Sequence, residues 1–318
     1  MAQAKTLADS FLLMNPSYRF IIFLVDTFSE KIDYHFFDPY EIVPVMKMGI
    51  EQLDQMIESY DITELNTAIK PFAFHFLFNR DPEVDYIIYS DPDIYFYRPV
   101  THIENQLLES DILLTPHILS PIYDKLSPSE PDFLNAGIYN LGFLAMKRSG
   151  ESAKFLNWWM LKLTDQCRID FANGLFVDQL WINFAPLYFN NVHILRHPGH
   201  NVAYWNLHER EISKAGNRYM INNGYELIFF HFSGYHITRP GNISKYQNRF
   251  RFSTRPDIIG LFKEYQQCVV KNNFAQYIQV PCYFIKMKQH SNIKNQTGNF
   301  PFLDRIRFFC INILDKAR

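Results

Sequence analysis

The feature that most constrains the fold is an alternation of short apolar runs with amphipathic segments. Residues 20–25 and residues 86–89 are continuous runs of aliphatic and aromatic side chains, which indicates strands that are buried on both faces. Between them, residues 64–78 carry apolar side chains at helical spacing. Strands that alternate with helices predict an α/β domain in which helices flank a mostly parallel sheet.

The rest of the chain continues this pattern. It predicts strands at 111–115, 137–146 and 227–232, helices at 50–60, 151–164 and 178–184, and a loop at 116–131. Pro71 is expected to bend or to start the helix in which it lies. Complete α/β nucleotide-binding folds usually open with a strand, whereas residues 5–14 predict a helix. The first strand is therefore expected either to be missing from this chain or to be replaced by a later segment.

Charge and cysteine content narrow the classes of function. The 31 basic and 33 acidic side chains give a net charge of −2, so the chain has no basic field of the kind that binds nucleic acid. None of the four cysteines has metal-ligand spacing, and a reduced, cytoplasmic compartment is the simplest interpretation. No signal peptide or membrane-spanning segment is recognised. Aromatic residues make up 17% of the chain, which suits either stacking on sugar faces or a Phe-rich core.

The sharpest chemical signal is Asp91-Pro92-Asp93, directly after the predicted strand at 86–89. In extended backbone, positions i and i+2 face the same side, and Pro92 ends regular pairing. Both carboxylates are therefore expected at the carboxyl end of a central strand, where open α/β sheets bind ligands. Hard oxygen ligands select Mg²⁺ or Mn²⁺, and such an ion could bridge the protein to a diphosphate. The alternative for an isolated Asp-x-Asp is a solvated turn.

Five segments in this order resemble the glycosyltransferases of the GT-A fold. More narrowly, they resemble glycosyltransferase family 8, which includes glycogenin and bacterial lipopolysaccharide galactosyltransferases. The segments are the helix that carries Lys70, the Asp91–Asp93 pair, residues 133–142 (similar to the Asn-x-Gly strand), residues 176–183 (similar to the Asp-Gln-x-x-x-Asn helix start) and residues 230–234 (similar to the late His-x-x-Gly). The resemblance implies a GT-A fold for residues 1 to about 245, with the first strand of that fold missing.

The resemblance also implies a donor site. Asp91, Asp93 and His231 would bind Mn²⁺ or Mg²⁺, and Lys70 would contact the phosphate or the sugar of the donor. His231 and Lys70 each have a more ordinary interpretation. His231 follows an apolar run and could be a hydrogen-bonded core histidine, and Lys70 could be a solvated side chain.

Further residues would contact the sugar. Asn135, Asp178 and Gln179 would line the transferred sugar, with Asp178 and Gln179 as the catalytic candidates, and Gly137 would allow a close backbone approach. Alternatively, Asp178 caps a helix, and Asn135 and Gly137 are turn residues that enter a strand. Residues 198–207 are either a sugar-contacting loop or a packed aromatic corner.

The late motif of the family normally continues to a Lys-Pro pair that holds the diphosphate. Here Gly234 is followed by Arg239-Pro240, and the guanidinium of Arg239 suits a phosphate. Lys245 is a second candidate for this role. Gly234 itself is assigned to the donor-binding residues by the resemblance.

The chain is expected to divide into a catalytic domain at residues 1–250 and a basic and aromatic extension at residues 251–318. Past residue 262 there are nine basic and three acidic residues, and aromatic side chains are interleaved with the basic ones near the end. This composition indicates peripheral contact with the anionic inner face of a membrane. The alternative is a C-terminal helix that docks on the core.

Taken together, the sequence predicts a metal-dependent and retaining glycosyltransferase. Its partners would be a nucleotide-diphosphate sugar, a UDP-sugar by default, and a glycan or lipid-linked acceptor. The bacterial family members suggest cell-surface polysaccharide such as lipopolysaccharide or capsule. A sugar nucleotidyltransferase would need a Gly-rich, Arg-bearing N-terminal loop, which is not present. A catalytically inactive homologue that binds carbohydrate or nucleotide is the alternative from a different class, because the first strand is missing.

Overall fold

The structure, a computed structural model, describes residues 1–288 with their side chains and residues 310–316 as backbone. The strands are β1 (Tyr18–Leu24), β2 (Glu41–Pro44), β3 (Tyr86–Ser90), β4 (Ile94–Phe96), β5 (Ile112–Pro116), β6 (Tyr139–Lys147), β7 (Ile169–Asp170), β8 (Leu175–Phe176), β9 (Val192–Ile194), β10 (Val202–Ala203), β11 (Ile212–Ala215), β12 (Arg218–Ile221), β13 (Tyr225–Glu226), β14 (Phe229–His231) and β15 (Cys310–Lys316). The α-helices are α1 (Ala2–Met14), α2 (Leu53–Ser59), α3 (Ile62–Ala68), α4 (Lys70–Arg80), α5 (Thr101–Glu109), α6 (Glu130–Ala136), α7 (Gly150–Leu163), α8 (Ala185–Tyr188), α9 (Ile259–Lys271) and α10 (Phe274–Tyr277).

A seven-stranded sheet in the order β2-β1-β15-β3-β6-β5-β9 forms the centre of the molecule. The strands β2, β1, β3, β5 and β9 run in one direction, and β15 and β6 run in the other. The predicted α/β fold is therefore confirmed as a mixed sheet with flanking helices. The expected mostly parallel pairing is wrong: four of the six neighbouring strand pairs in this sheet are antiparallel, because β15 and β6 lie between strands that would otherwise be parallel neighbours.

The last strand of the described chain, β15, lies at the centre of the sheet. It pairs antiparallel with β1 on one side and with β3 on the other, so that Leu314 is opposite both Phe20 and Ile88. A later segment thus stands in the middle of the sheet, antiparallel to both of its neighbours, and the missing first strand stays a prediction. Residues 310–316 form a strand, and the aromatic and basic residues at 300–309, to which the membrane-contact and docked-helix predictions apply, lie outside the described residues.

The two faces of this sheet pack against different helices. In β1, Phe20 and Ile22 face a core shared with α1, α5 and α9, whereas Ile21 and Phe23 face a core shared with α2, α3, α4 and α7. This alternation confirms that the apolar run forms a strand buried on both faces. Each fully buried Phe or Ile side chain contributes about 1.5–3 kcal/mol to folding. The first of the two cores also contains buried residues of the segment after residue 250, and the expected domain boundary there stays a prediction.

The single helix predicted at 64–78 is in fact two helices, α3 and α4. The first begins at a capping box in which Asp61 and Glu64 exchange side-chain and backbone hydrogen bonds. Pro71 stands in the first turn of α4, where a residue without an N–H is tolerated. The break between the two helices places Lys70 at the start of α4, from where its side chain reaches the central sheet.

The helix predicted at 178–184 is a 3₁₀ turn, Trp181–Phe184, followed by α8. Asp178 lies before this turn, and its side chain caps no helix there, so the capping interpretation of Asp178 is wrong. No helix in the described part of the chain combines the length and the apolar content needed to cross a membrane.

Candidate metal centre

Two short strands carry the acidic pair and the histidine to one point. Asp91 and Asp93 lie in the turn between β3 and β4, and the N–H of Asp91 donates a 2.7 Å hydrogen bond to the carbonyl of Gly142 in β6. The strand β14 pairs antiparallel with β4, so that His231 is opposite Ile94. The N–H of Phe232 donates to the carbonyl of Asp93 over 2.8 Å. The backbone pairing therefore places the His231 side chain beside both carboxylates.

These three side chains form a candidate metal centre. The Nε2 of His231 lies 2.9 Å from Oδ1 of Asp93 and 4.0 Å from Oδ2 of Asp91, and the three ligand atoms all lie within 4.8 Å of one another. With metal–ligand bonds of about 2.1 Å, octahedral ligands are about 3.0 Å apart when adjacent and about 4.2 Å apart when opposite. The observed separations of 2.9 Å and 4.0 Å are close to these two values, and an imidazole nitrogen with two carboxylates is a donor set that a divalent cation fits.

Burial alone would lower the pKa of the His231 imidazole, but the carboxylates of Asp93 and Asp91 raise that pKa above its usual value. The same negative field favours a bound cation. His231 is 3% exposed, whereas Asp91 and Asp93 are half-buried. The cluster is thus closed on the histidine side and open to solvent on the carboxylate side. Both ends of the Asp91-Pro92-Asp93 turn are paired with neighbouring strands, and the metal-site interpretation of this turn stays a prediction.

The position of His231 depends on Gly142. A Cβ atom at residue 142 would lie 2.3 Å from Cε1 and 2.8 Å from Nδ1 of His231. The indole of Trp205 packs edge-on against the imidazole, with ring centroids 5.1 Å apart. Gly142 was not among the predicted site residues, although a glycine inside a strand often marks a close approach of another group. Trp205 is buried, so at this residue the 198–207 segment is a packed aromatic corner.

A buried ion pair lies beside the acidic pair. The Nζ of Lys70 is 2.8 Å from Oδ2 of Asp178 and 3.7 Å from Oδ1 of Asp91, and it donates a 2.9 Å hydrogen bond to the carbonyl of Leu141. Lys70 is 4% exposed and Asp178 is 2% exposed, so the interpretation of Lys70 as a solvated side chain is wrong. Breaking a buried pair of this kind by removing one partner costs about 3–5 kcal/mol.

Lys70 and Asp178 each shift the pKa of the other. Burial alone would lower the pKa of Lys70, but the carboxylates of Asp178 and Asp91 outweigh it and raise the pKa. Burial raises the pKa of Asp178, against the opposing effect of Lys70. The ammonium is therefore held as a fixed positive charge behind Asp91.

Tyr89 connects this pair to the metal centre. Its hydroxyl donates a hydrogen bond to Oδ1 of Asp91, and the Nζ of Lys70 lies 4.9 Å from the centre of its ring. Burial raises the pKa of Tyr89 well above its usual value, and the charge of Asp91 raises it further, so the hydroxyl remains a donor. Tyr89 was not predicted as a site residue, because in the sequence it is one more aromatic residue of a buried strand.

Gly137 and Gln179, two of the predicted site residues, lie against each other. The Nε2 of Gln179 donates a 2.8 Å hydrogen bond to the carbonyl of Ala136. Gly137 has a φ of 115°, and a Cβ there would lie 3.0 Å from the carbonyl oxygen of Gln179, so residue 137 tolerates glycine alone. Asn135 is the exception: it lies in the last turn of α6 and is exposed. The expected strand thus begins at Tyr139, not at Gly137, because α6 occupies the preceding residues.

The late motif forms a turn on the surface. Gly234 has a φ of 71°, and its carbonyl accepts a 3.1 Å hydrogen bond from the N–H of Lys245. The side chains of Lys245 and Arg239 are exposed. The ammonium of Lys245 lies 4.8 Å from the ring centre of Tyr246, and the guanidinium of Arg239 is 2.9 Å from Nε2 of His236. Among the described residues, neither cation forms an ion pair with the acidic residues of the metal centre.

Comparisons with known proteins identify relatives of the chain. No protein-family model matches it. A solved structure, the crystal structure of a glycosyltransferase involved in the glycosylation of the major capsid of PBCV-1, aligns with a TM-score of 0.39 at 8% identity, over 72% of this chain and 84% of that one. A TM-score below 0.5 carries no argument about a shared fold.

Two proteins of Bacillus subtilis (strain 168) are similar in sequence. The uncharacterised protein YfnD is 26% identical over 175 residues, which are 53% of this chain and 52% of YfnD. The uncharacterised protein YfnF is 30% identical over 229 residues, which are 71% of this chain and 73% of YfnF. The chain therefore belongs to the same protein family as YfnF.

Proposed function

We propose that the chain is a metal-dependent glycosyltransferase of the GT-A type. It would move a sugar from a nucleotide-diphosphate donor, a UDP-sugar by default, to a glycan or lipid-linked acceptor of the bacterial cell surface. The observation that carries this proposal is the convergence of Asp91, Asp93 and His231 at the carboxyl end of β3. This is the edge at which open α/β sheets bind ligands. The mixed donor set suits Mn²⁺, or Mg²⁺ with water completing the coordination.

The protein's own contribution begins with the placement of the ligands. Asp91 is fixed by the hydroxyl of Tyr89, and His231 is held in place by its contacts with Gly142 and Trp205. A divalent cation bound to these ligands would neutralise charge on the diphosphate leaving group, an effect worth several kcal/mol. The proposed part of Lys70 is electrostatic. Its ammonium balances the charges of the Asp178 and Asp91 carboxylates and keeps their side chains in one arrangement.

The proposed sugar side of the site is built around Gln179 and Gly137. Gln179 is fixed to the end of α6 by its amide, and Asn135 is exposed on the same helix. Asp178 is buried in the ion pair with Lys70, so its proposed part is to position the turn that carries Gln179. Arg239 and Lys245 are the exposed cations of the late motif that would hold the diphosphate. Retention of the anomeric configuration is part of the proposal, and an inverted product in the NMR spectrum would overturn it.

The direct test is the release of nucleoside diphosphate from purified sugar nucleotides. The protein is incubated with UDP-, GDP- or CDP-sugars in Mn²⁺, in Mg²⁺ or in excess EDTA, and the released diphosphate is measured. We expect release from one class of donor, dependent on the metal and lost in Asp93→Ala. The matched control is Asp54→Ala, which removes an exposed carboxylate in α2 and should release diphosphate at the wild-type rate.

The catalytically inactive homologue remains the competing hypothesis. It predicts that a nucleotide binds with the metal, but that no donor is hydrolysed and no sugar is transferred to any added acceptor. Metal-independent release, or equal release by wild type and Asp93→Ala, would contradict the proposed function.

A further inference from the structure

A cavity of about 550 Å³ lies beside the carboxyl ends of β5 and β9. Pro116 ends β5 and Ile194 ends β9, and both residues line the cavity. Because β3, β5 and β9 run in the same direction, the cavity opens along the same edge of the sheet as the metal centre. Its volume is within the range of about 300–1,000 Å³ that is usual for small-molecule sites.

Most of the wall of this cavity is apolar. Phe133 forms part of it, and Leu134 and Ile138 stand at it with 67% and 40% of their surface exposed. Apolar side chains that are exposed around a concave site indicate a ligand with an apolar part. A free sugar, which is covered with hydroxyl groups, would leave most of this wall without a matching partner.

Two charged side chains complete the lining. Arg196 follows β9 and is exposed, and Glu130 is the first residue of α6. Among the described residues neither side chain has an ion-pair partner, and they do not pair with each other. A guanidinium beside an apolar wall is suited to a phosphate or a carboxylate that is attached to an apolar chain.

A row of packed rings joins the cavity wall to the metal centre. Phe133 stacks on His117 with a centroid distance of 5.1 Å, His117 packs edge-on against Trp205 at 5.2 Å, and Trp205 packs against His231 at 5.1 Å. Three successive ring contacts therefore link Phe133, which lines the cavity, to a proposed metal ligand. A molecule whose apolar part fills the cavity could present its other end to the donor site.

We propose that this cavity holds the apolar anchor of the acceptor, and that Arg196 binds an anionic group at the end of that anchor. The occupant is an amphiphilic anion, in which a single phosphate or carboxylate joins an apolar chain to a polar head. The name acceptor rests on the proposed glycosyl transfer, whereas the binding of an amphiphilic anion rests on the cavity alone.

The test is a calorimetric titration of the full-length protein with octyl phosphate below its micelle-forming concentration. Octanoate, octanol and inorganic phosphate are titrated in parallel. We expect saturable binding of octyl phosphate or octanoate that is tighter than the binding of octanol or of phosphate. Whichever of the two anions binds more tightly identifies the anionic group of the anchor as a phosphate or a carboxylate.

Two variants separate the parts of the site. Arg196→Gln should weaken the binding of octyl phosphate about fivefold, the size of one partly exposed ion pair, and should leave octanol binding unchanged. Ile138→Ser should weaken the binding of both octyl phosphate and octanol. Glu130→Gln is the matched control, and it should bind octyl phosphate at least as tightly as wild type because it removes a negative charge from the lining.

The proposal is overturned if octyl phosphate and octanoate show no saturable binding, or if Arg196→Gln binds them as tightly as wild type. These titrations contain no metal and no nucleotide, so they are independent of the donor site. Binding of octyl phosphate in a protein that releases no nucleoside diphosphate would leave the amphiphile site standing and would remove the acceptor assignment alone.

Discussion

Substitution of Gly142 by alanine should displace His231 from the metal centre. The new Cβ atom would lie 2.3 Å from Cε1 of His231, and Cβ atoms essentially never come closer than 3.0 Å to a neighbour, so the imidazole must retreat by about 0.7 Å. Metal–ligand distances tolerate about 0.2 Å. We therefore expect Gly142→Ala to weaken Mn²⁺ binding about 10- to 100-fold, as supporting-residue changes around metal ligands do. The overpacking should also cost about 1–3 kcal/mol of stability.

The affinity for Mn²⁺ is measured by the EPR signal of the free ion, and the stability by urea unfolding. The matched control is Gly150→Ala, because a Cβ at residue 150 meets no atom within 4 Å. This variant should lower neither the Mn²⁺ affinity nor the stability. In the His231→Ala background, the stability cost of Gly142→Ala should shrink but not vanish, because the two His231 atoms that clash have been removed while Oδ1 of Asn140 stays 2.8 Å from the new Cβ. An affinity for Mn²⁺ within threefold of wild type in Gly142→Ala would refute the reasoning.

Two other substitutions test the groups behind the metal centre. Asp178→Asn should destabilise the fold by about 3–5 kcal/mol in urea unfolding, because it leaves the Lys70 ammonium buried without its main counter-charge. The double variant with Lys70→Met should recover part of this loss. If the stability losses of the two single variants simply add in the double variant, the pairing is contradicted. Tyr89→Phe removes the hydroxyl that orients Asp91, so Mn²⁺ affinity should fall about tenfold while the fold persists, and an unchanged affinity would show that the hydroxyl is not needed.

The elements that could be predicted are those that carry their own local signal. The apolar runs at 20–25 and 86–89 became β1 and β3, because a strand buried on both faces cannot contain polar side chains. The Asp91–Asp93 pair could be placed at the end of β3 for the same reason. His231 could be assigned to the site only through the resemblance, because its strand β14 pairs with β4, which is far away in sequence, and no local pattern links the two.

The parts that could not be predicted depend on long-range packing. The position of β15 between β1 and β3 is set by pairing with strands more than 200 residues away, and no local pattern specifies a partner at that distance. Lysine is almost never fully buried, so the burial of Lys70 follows from Asp178 and Asp91 converging on it, not from its neighbours in sequence. Asn135 fell in α6 because a capping box at Ser129 starts a helix there.

The central claim, a metal-dependent donor site at Asp91, Asp93 and His231, is tested most directly by thermal unfolding with UDP, GDP or CDP, each with and without Mn²⁺. A nucleotide present at a hundredfold excess over its Kd stabilises the protein by about 2.7 kcal/mol. We predict a rise in Tm that requires both Mn²⁺ and one particular nucleotide and that disappears in Asp93→Ala. A Tm that stays constant for every combination of metal and nucleotide, or a rise that persists in Asp93→Ala, would contradict the account.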